Sequence, residues 1–203
     1  MKIQGLHAKL IAEQYEDLLS KKGYKFFDGF KSFNVNIIGV RSNINLANNF
    51  DDMLLCIYRD EEKEWEVMSS VITCDPGMFW LRQPSKVEGA AILVPGQYKA
   101  WKIDKHQGKY DALCQRLSEV PVYRDNNLDN VLDSDDVPID TGWHGINIHH
   151  AGVQSIQVGK WSAGCQVFAN LAEFKEFMDV IKKSSRAFGN AFTYTLLTED
   201  DLY

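Results

Sequence analysis

The chain has 203 residues, 45% of them hydrophobic and 25% charged, and a formal net charge of −6. That is enough apolar material for one sizeable core. It has no basic cluster longer than a pair such as Lys182–Lys183 and no run of eighteen apolar residues, which argues against nucleic-acid binding and against a helical membrane span.

The opening stretch, MKIQGLHAKLIAEQYEDLL, lacks the apolar run of a signal peptide because Glu13, Glu16 and Asp17 interrupt it. The expectation is a chain made in the cytoplasm without a leader. Residues 5–22 place Leu6, Leu10, Ile11, Tyr15, Leu18 and Leu19 at helical spacing, with Gly23 as the stop. From Val35 the period changes to two. Segments 35–40, 53–58 and 65–72 read as strands, the last two joined as a hairpin through the charged tip Arg59–Glu64. Turn residues at Pro76-Gly77, Pro84, Gly89 and Pro95-Gly96 delimit further strands at 89–94, 97–103 and 120–123. A helix from Phe168 or Asn170 to about Arg186 carries Leu171, Phe174, Phe177, Met178 and Ile181 on one stripe, and 192–197 closes the chain as a strand. Short turns between strands predict mostly antiparallel pairing in a mainly-β, α+β domain with an N-terminal and a late helix.

Four cysteines occur without a CxxC pair and read as free thiols. Cys56, Cys74 and Cys114 sit in apolar or strand-like surroundings and read as small buried hydrophobes. Cys165 differs. It ends the tight Ser162-Ala163-Gly164-Cys165, which follows a segment holding three of the five histidines, His144, His149 and His150. A cysteine in a turn rich in N–H groups, or leading into a helix, is expected to have its thiolate stabilised by local dipoles. A nucleophile needs a base and oxyanion donors nearby; His149 or His150 can be the first, a Gly–Cys step the second. On a strand through 145–149, His149 shares a face with Asn147 and Gly145, while His144, Ile146 and Ile148 face the other way.

The run Ile148-His149, a loop, then Ser162-x-Gly164-Cys165 resembles the L,D-transpeptidase (YkuD-like) catalytic domain, whose signature is a hydrophobic residue and His, a loop, then Ser-His-Gly-Cys. Cys165 falls sixteen residues after His149, as in that family's shorter-loop members. Segment 91–98, AILVPGQY, resembles the family's strand–Pro-x-Gly segment, and the likeness spans roughly residues 34–197. The resemblance implies an L,D-transpeptidase-like β-sandwich or barrel at 34–203, with residues 1–33 as a helical extension. It implies Cys165 as the nucleophile that forms a thioester and His149 as its base, the His150 carbonyl orienting the His149 ring. Gly164 and Cys165 would then offer N–H groups to the oxyanion, and Ser162 would shape the turn or bind substrate. Asn147 and Gln166 join Ser162, Trp161 and Trp143 as the substrate-binding set, the two tryptophans as walls of a groove. The implied substrate is a peptidoglycan stem peptide, with no cofactor or metal, in a phage-encoded or delivered protein that acts on the cell wall. Ala163 stands where the motif has its second histidine, and Gln166-Val167-Phe168 where an Arg or Asn usually follows. These departures favour a second reading, a catalytically weak or inactive module of the same fold, such as a virion component.

Three weaker patterns complete the reading. Asp125, Asn127, Asp129 and Asp136 stand at positions 1, 3, 5 and 12 of a calcium loop, but Asn130 replaces its glycine, so an acidic surface loop is the reading preferred. A zinc site from His144, His149, His150 and Cys165 has the right ligand types, yet adjacent histidines on a strand diverge. His106, in Lys105-His106-Gln107-Gly108, reads as a surface turn that can at most line the cleft.

Overall fold

The period-two segments become the staves of a closed barrel in the computed structural model, which describes residues 1–203. In chain order the elements are β1 (Lys2–Gln4), α1 (Gly5–Lys21), β2 (Asn36–Arg41), β3 (Asp52–Arg59), β4 (Trp65–Thr73) and α2 (Met78–Arg82). There follow β5 (Ala90–Leu93), β6 (Gly96–His106), β7 (Tyr110–Gln115), β8 (Val120–Asp125) and β9 (Ile139–Gly142). Then come β10 (Ile148–His150), β11 (Gln166–Phe168), α3 (Leu171–Phe188), β12 (Phe192–Thr198) and a short 3-10 turn at Glu199–Leu202. Eight strands close the ring in the order β4-β11-β10-β7-β6-β12-β2-β3 and back to β4, leaving no open edge. Strands β5, β8 and β9 form a separate three-stranded sheet.

Pairing is mostly antiparallel, including the expected β3–β4 hairpin, in which Asp52 lies opposite Ile72 and Arg59 opposite Trp65. Two pairs are parallel: β12 with β2, and β10 with β11. The mainly-β fold with flanking helices is therefore the observed one. Four short elements escaped the sequence: β1, α2, β9 and β11. Strand β7 also escaped, because Tyr110–Gln115 interleaves Asp111 with the apolar residues and breaks the alternation. Strand β10 is shorter than the 145–149 segment suggested, since Gly145 has φ of 72° and turns the chain out of extended geometry.

Alternation divides the strands between two cores. Ile37, Leu54, Cys56, Tyr58, Met68 and Ile72 belong to the main cluster of 28 buried residues, which includes Trp101, Tyr194 and Phe168. Ile38, Val40, Leu55, Ile57 and Val67, on the opposite face, bed α1. The helix meets that face with Ala8, Ala12, Tyr15 and Leu19, whereas Leu6 and Leu10 are exposed. Two alanines, rather than two leucines, allow the backbone to lie close to the sheet. Residues 1–33 are thus built into the body: β1 extends β4, and α1 covers the outside of the barrel.

Helix α3 starts at Leu171 because the Asn170 side chain accepts from the Ala172 and Glu173 N–H groups at 2.8 and 3.3 Å. Phe174, Phe177, Met178 and Ile181 then enter the main cluster as the periodicity predicts. No helix is long and apolar enough to cross a membrane.

Candidate functional site

The parallel pairing of β10 with β11 sets Ile148 beside Gln166 and His149 beside Val167. Ile148 faces the main core, so His149 lies on the outer face. One step back, Cys165 runs alongside Asn147. The Gln166 N–H donates to the Asn147 carbonyl at 2.9 Å, and the Asn147 N–H lies 3.4 Å from Cys165 Sγ. The thiol in turn donates to the Gly145 carbonyl at 3.5 Å. Cys56, Cys74 and Cys114 are fully buried, whereas Cys165 retains some exposure.

His149 is 3% exposed, and its Nδ1 lies 3.0 Å from the His150 carbonyl oxygen. A carbonyl only accepts, so Nδ1 carries the proton and Nε2 keeps its lone pair. Burial, reinforced by the neighbouring His106, pushes the His149 imidazole down to about 3, against the pull of the carbonyl bond. Burial likewise pushes the Cys165 thiol up to about 11. The resting groups are a neutral imidazole and a protonated thiol. This corrects the expectation of a dipole-stabilised thiolate: Cys165 enters a three-residue strand, and α3 begins only at Leu171, so no helix N-terminus faces the sulfur.

Behind His149 stands a residue that the sequence assigned to a surface turn. His106 ends β6, is buried, and stacks its ring on that of His149 at 4.1 Å between centroids and 23° between planes. Its tautomer follows from its neighbours. The Asn147 Oδ1 accepts the Gln115 N–H at 3.0 Å, so the amide nitrogen of Asn147 is the donor to His106 Nδ1 at 3.1 Å. His106 is therefore neutral with its proton on Nε2, and burial holds its pKa below the ordinary value. Gln115 fixes the rest: its Oε1 accepts from the Gly145 and Ile146 N–H groups at 2.8 and 3.1 Å, and its Nε2 donates to the Gly142 carbonyl at 3.0 Å. Gln115 thereby holds the Gly145 carbonyl that faces the thiol. Only recognition of β7 as a strand beside β10 would have exposed it.

The turn before Cys165 is built by Ser162, which is fully buried. Its hydroxyl donates to the Cys165 carbonyl at 2.8 Å and accepts the Gly164 N–H at 3.1 Å. Gly164 therefore has its N–H occupied and is not a free oxyanion donor, and Ser162 shapes the turn rather than meeting substrate. Gly164 adopts φ of 118°, and a Cβ there would lie 2.3 Å from the Ala91 carbonyl oxygen. Gly164→Ala is expected to destabilise the fold by about 1–3 kcal/mol, read as a lower urea midpoint with unchanged slope.

Two other members of the expected substrate set are also unavailable. Gln166 points into the interior, where its amide accepts from the Tyr194 hydroxyl at 2.8 Å. The Asn147 side chain is committed to His106 and Gln115. Trp143 and Trp161 remain open, at 57% and 48% exposure. The His150 ring packs on Tyr110 and Phe174, with centroids 4.5 and 5.0 Å away, so His150 contributes its carbonyl and not a base. Ala163 lines a cavity of about 80 Å³ with Arg124 and His144. His144 is held by Arg124 at 3.1 Å and by the Asp140 carbonyl at 3.0 Å.

Nowhere do three metal-binding side chains converge. The Asp125–Asp136 loop directs its oxygens at its own donors: Asp125 accepts from the Asp133 N–H at 3.1 Å and Asp129 from the Val131 N–H at 2.7 Å. Compared with known proteins, the chain matches no family model, no curated protein and no solved structure.

Proposed function

We propose that the chain is a cysteine acyl-transfer enzyme acting on peptidoglycan stem peptides, an L,D-transpeptidase or L,D-peptidase. The observation that carries this reading is the clamp of His149 Nδ1 on the His150 carbonyl, which leaves Nε2 unprotonated on a strand paired with the one that Cys165 enters. As sulfur attacks the peptide carbonyl, its proton passes to His149 Nε2. The Cys165 N–H polarises the carbonyl oxygen. Collapse of the tetrahedral intermediate breaks the C–N bond, the leaving amine takes the proton from His149, and a thioester remains on Cys165. Water or a second amine then attacks the thioester with His149 again as the base; the C–S bond breaks and the Cys165 sulfur takes the proton back. The exposed Trp143 and Trp161 offer flat apolar surfaces to the peptide or sugar. Because the resting pair is neutral, proton transfer accompanies attack rather than preceding it.

The test is incubation of the protein with tetrapeptide muropeptides, with products and intact protein followed by mass spectrometry. A shortened or cross-linked product and an acyl adduct mapped to Cys165 are expected. The second reading, a non-catalytic binding or structural module of this fold, is favoured by Ala163 and by the protonated thiol. It requires unaltered muropeptides and no adduct.

A further inference from the structure

Two backbone segments bracket both the Cys165 thiol and a small cavity. His144 lines the cavity, and the next carbonyl along, that of Gly145, accepts from the thiol at 3.5 Å. On the other segment Ala163 lines it, is exposed, and stands two residues before Cys165. A group carried next to a carbonyl held at the sulfur is therefore within its reach. The three-stranded sheet makes the back of the cavity. Ala91 of β5 turns its side chain to Gly164, and it pairs with Arg124 of β8. Directly paired residues point to one face, so Arg124 is delivered to the turn that carries the nucleophile.

Arg124 is only 5% exposed. Its Nε and one Nη2 hydrogen meet Asp140 Oδ2 at 3.0 and 2.7 Å, and one Nη1 hydrogen meets the Gly89 carbonyl at 3.2 Å. His144 Nε2 faces the Asp140 carbonyl at 3.0 Å and must donate to it, so Nδ1 accepts the second Nη2 hydrogen at 3.1 Å. His144 is thus neutral, and burial holds its pKa below the ordinary value. The second Nη1 hydrogen of this buried guanidinium has no partner, an arrangement that costs stability unless a ligand accepts from it. Lys86, exposed and in no ion pair, adds the other charge on the wall. No carboxylate lines the cavity, although the chain carries a net charge of −6. A water takes about 30 Å³ of liquid, so about 80 Å³ admits a carboxyl group and little more.

We propose that this cavity is the specificity pocket beside Cys165 and takes a carboxylate of the substrate peptide, which accepts from the spare Arg124 N–H and pairs with Lys86. The identity of the ligand as a stem peptide rests on the acyl-transfer reading. A carboxamide of the same shape brings no charge to the pocket and turns a donor toward two cations, so amidation of that carboxylate is what the pocket rejects.

The test compares three tetrapeptide muropeptides: one with free carboxylates, one amidated at its side-chain carboxylates, and one amidated at its C-terminus. Binding is read by isothermal titration on full-length Cys165→Ala, which cannot turn them over, and turnover on the unaltered chain. One of the two amidations, which thereby identifies the carboxylate, should weaken binding roughly tenfold, the size of one hydrogen bond to a charged group. The difference should shrink as salt rises. Lys86→Gln should reduce it several-fold and Arg124→Lys should remove most of it. Lys86 is exposed, so its variant answers the question if Arg124→Lys does not fold. Lys9→Gln, on the distant α1, should leave the difference unchanged. The pocket is overturned if no muropeptide binds, if neither amidation matters, or if Lys86→Gln discriminates as fully as the parent. The two readings fail separately. Selective binding without product or adduct keeps the pocket and removes the reaction, whereas turnover indifferent to amidation keeps the reaction and removes the pocket.

Discussion

Cys165→Ala is expected to abolish both product formation and the acyl adduct, because no second thiol can take its place: the other three cysteines are fully buried. His149→Ala should leave KM near its original value and lower kcat by about 10²–10⁴-fold, the usual worth of a positioned base. The form of the pH profile carries further information. A preformed thiolate–imidazolium pair titrates near neutrality and produces a bell-shaped profile. Here burial pushes the imidazole down to about 3 and the thiol up to about 11, so both groups stay in their working forms across the intervening range. A flat kcat/KM from pH 5 to 9 is expected. Iodoacetamide should label Cys165 slowly at pH 7, since little thiolate is present. His106→Phe keeps a ring stacked on His149 but removes the acceptor for Asn147, and should preserve most of the activity if stacking is what positions the base.

The stability of the fold should depend on pH in two opposing ways, separable by substitution. His149 titrates at about 3 when folded and near 6.5 when unfolded. Below pH 6.5 the unfolded chain binds the proton more readily, so stability falls as pH falls from 6.5 toward 3. Between pH 7 and 5 that single group removes about 2 kcal/mol, at about 1.4 kcal/mol per pH unit below its unfolded value. Asp52 acts in the reverse sense. Burial, and then the charge of Asp75, raise its folded pKa, so the native state takes up the proton first. Its stabilisation is full below its unfolded value and is lost as pH rises through the raised one. In urea titrations at pH 5 and 7, His149→Gln should therefore make the chain gain stability on acidification relative to the parent. Asp52→Asn should make it lose more. The slopes are to be compared, because each substitution also shifts the baseline.

Much of the frame was legible because it rests on local periodicity. The hairpin of β3 and β4, the late helix and the final strand each bury a face that repeats at the right interval, and the structure reproduces them. What escaped depends on contacts distant in sequence. The three residues of β11 are too few to show a period, and they form a strand only because β4 and β10 flank them. The α1 face was legible at Ile11, Tyr15, Leu18 and Leu19 but not at its start, where Ala8 and Ala12 dock and carry a weaker apolar signal than Leu6 and Leu10, which are left in solvent. At the site, the turn Ser162–Cys165 is local and was legible as a tight turn, and the clamp of His149 on the His150 carbonyl was what the family resemblance implied. His106 and Gln115 could not be anticipated, since they reach the site from β6 and β7 across 41 and 30 residues of sequence. Gln166 misled for a related reason: its polarity suggested a substrate contact, but closure of the barrel turns it inward to Tyr194.

Adjacent parallel strands cannot be joined by a tight turn, so residues 151–165 must carry the chain back along the barrel before β11 begins. The separation of His149 and Cys165 along the sequence is set by that return path, while their separation in space is set by the ladder. Val153, Ile156 and Trp161 ride on the path and are exposed. The exposed stretch from Val153 to Ile156 can therefore be lengthened, shortened or rewritten while Ser162 and Gly164 keep the turn into Cys165. For the proposed enzyme, it is the part of the molecule on which a change of substrate would cost the chemistry least.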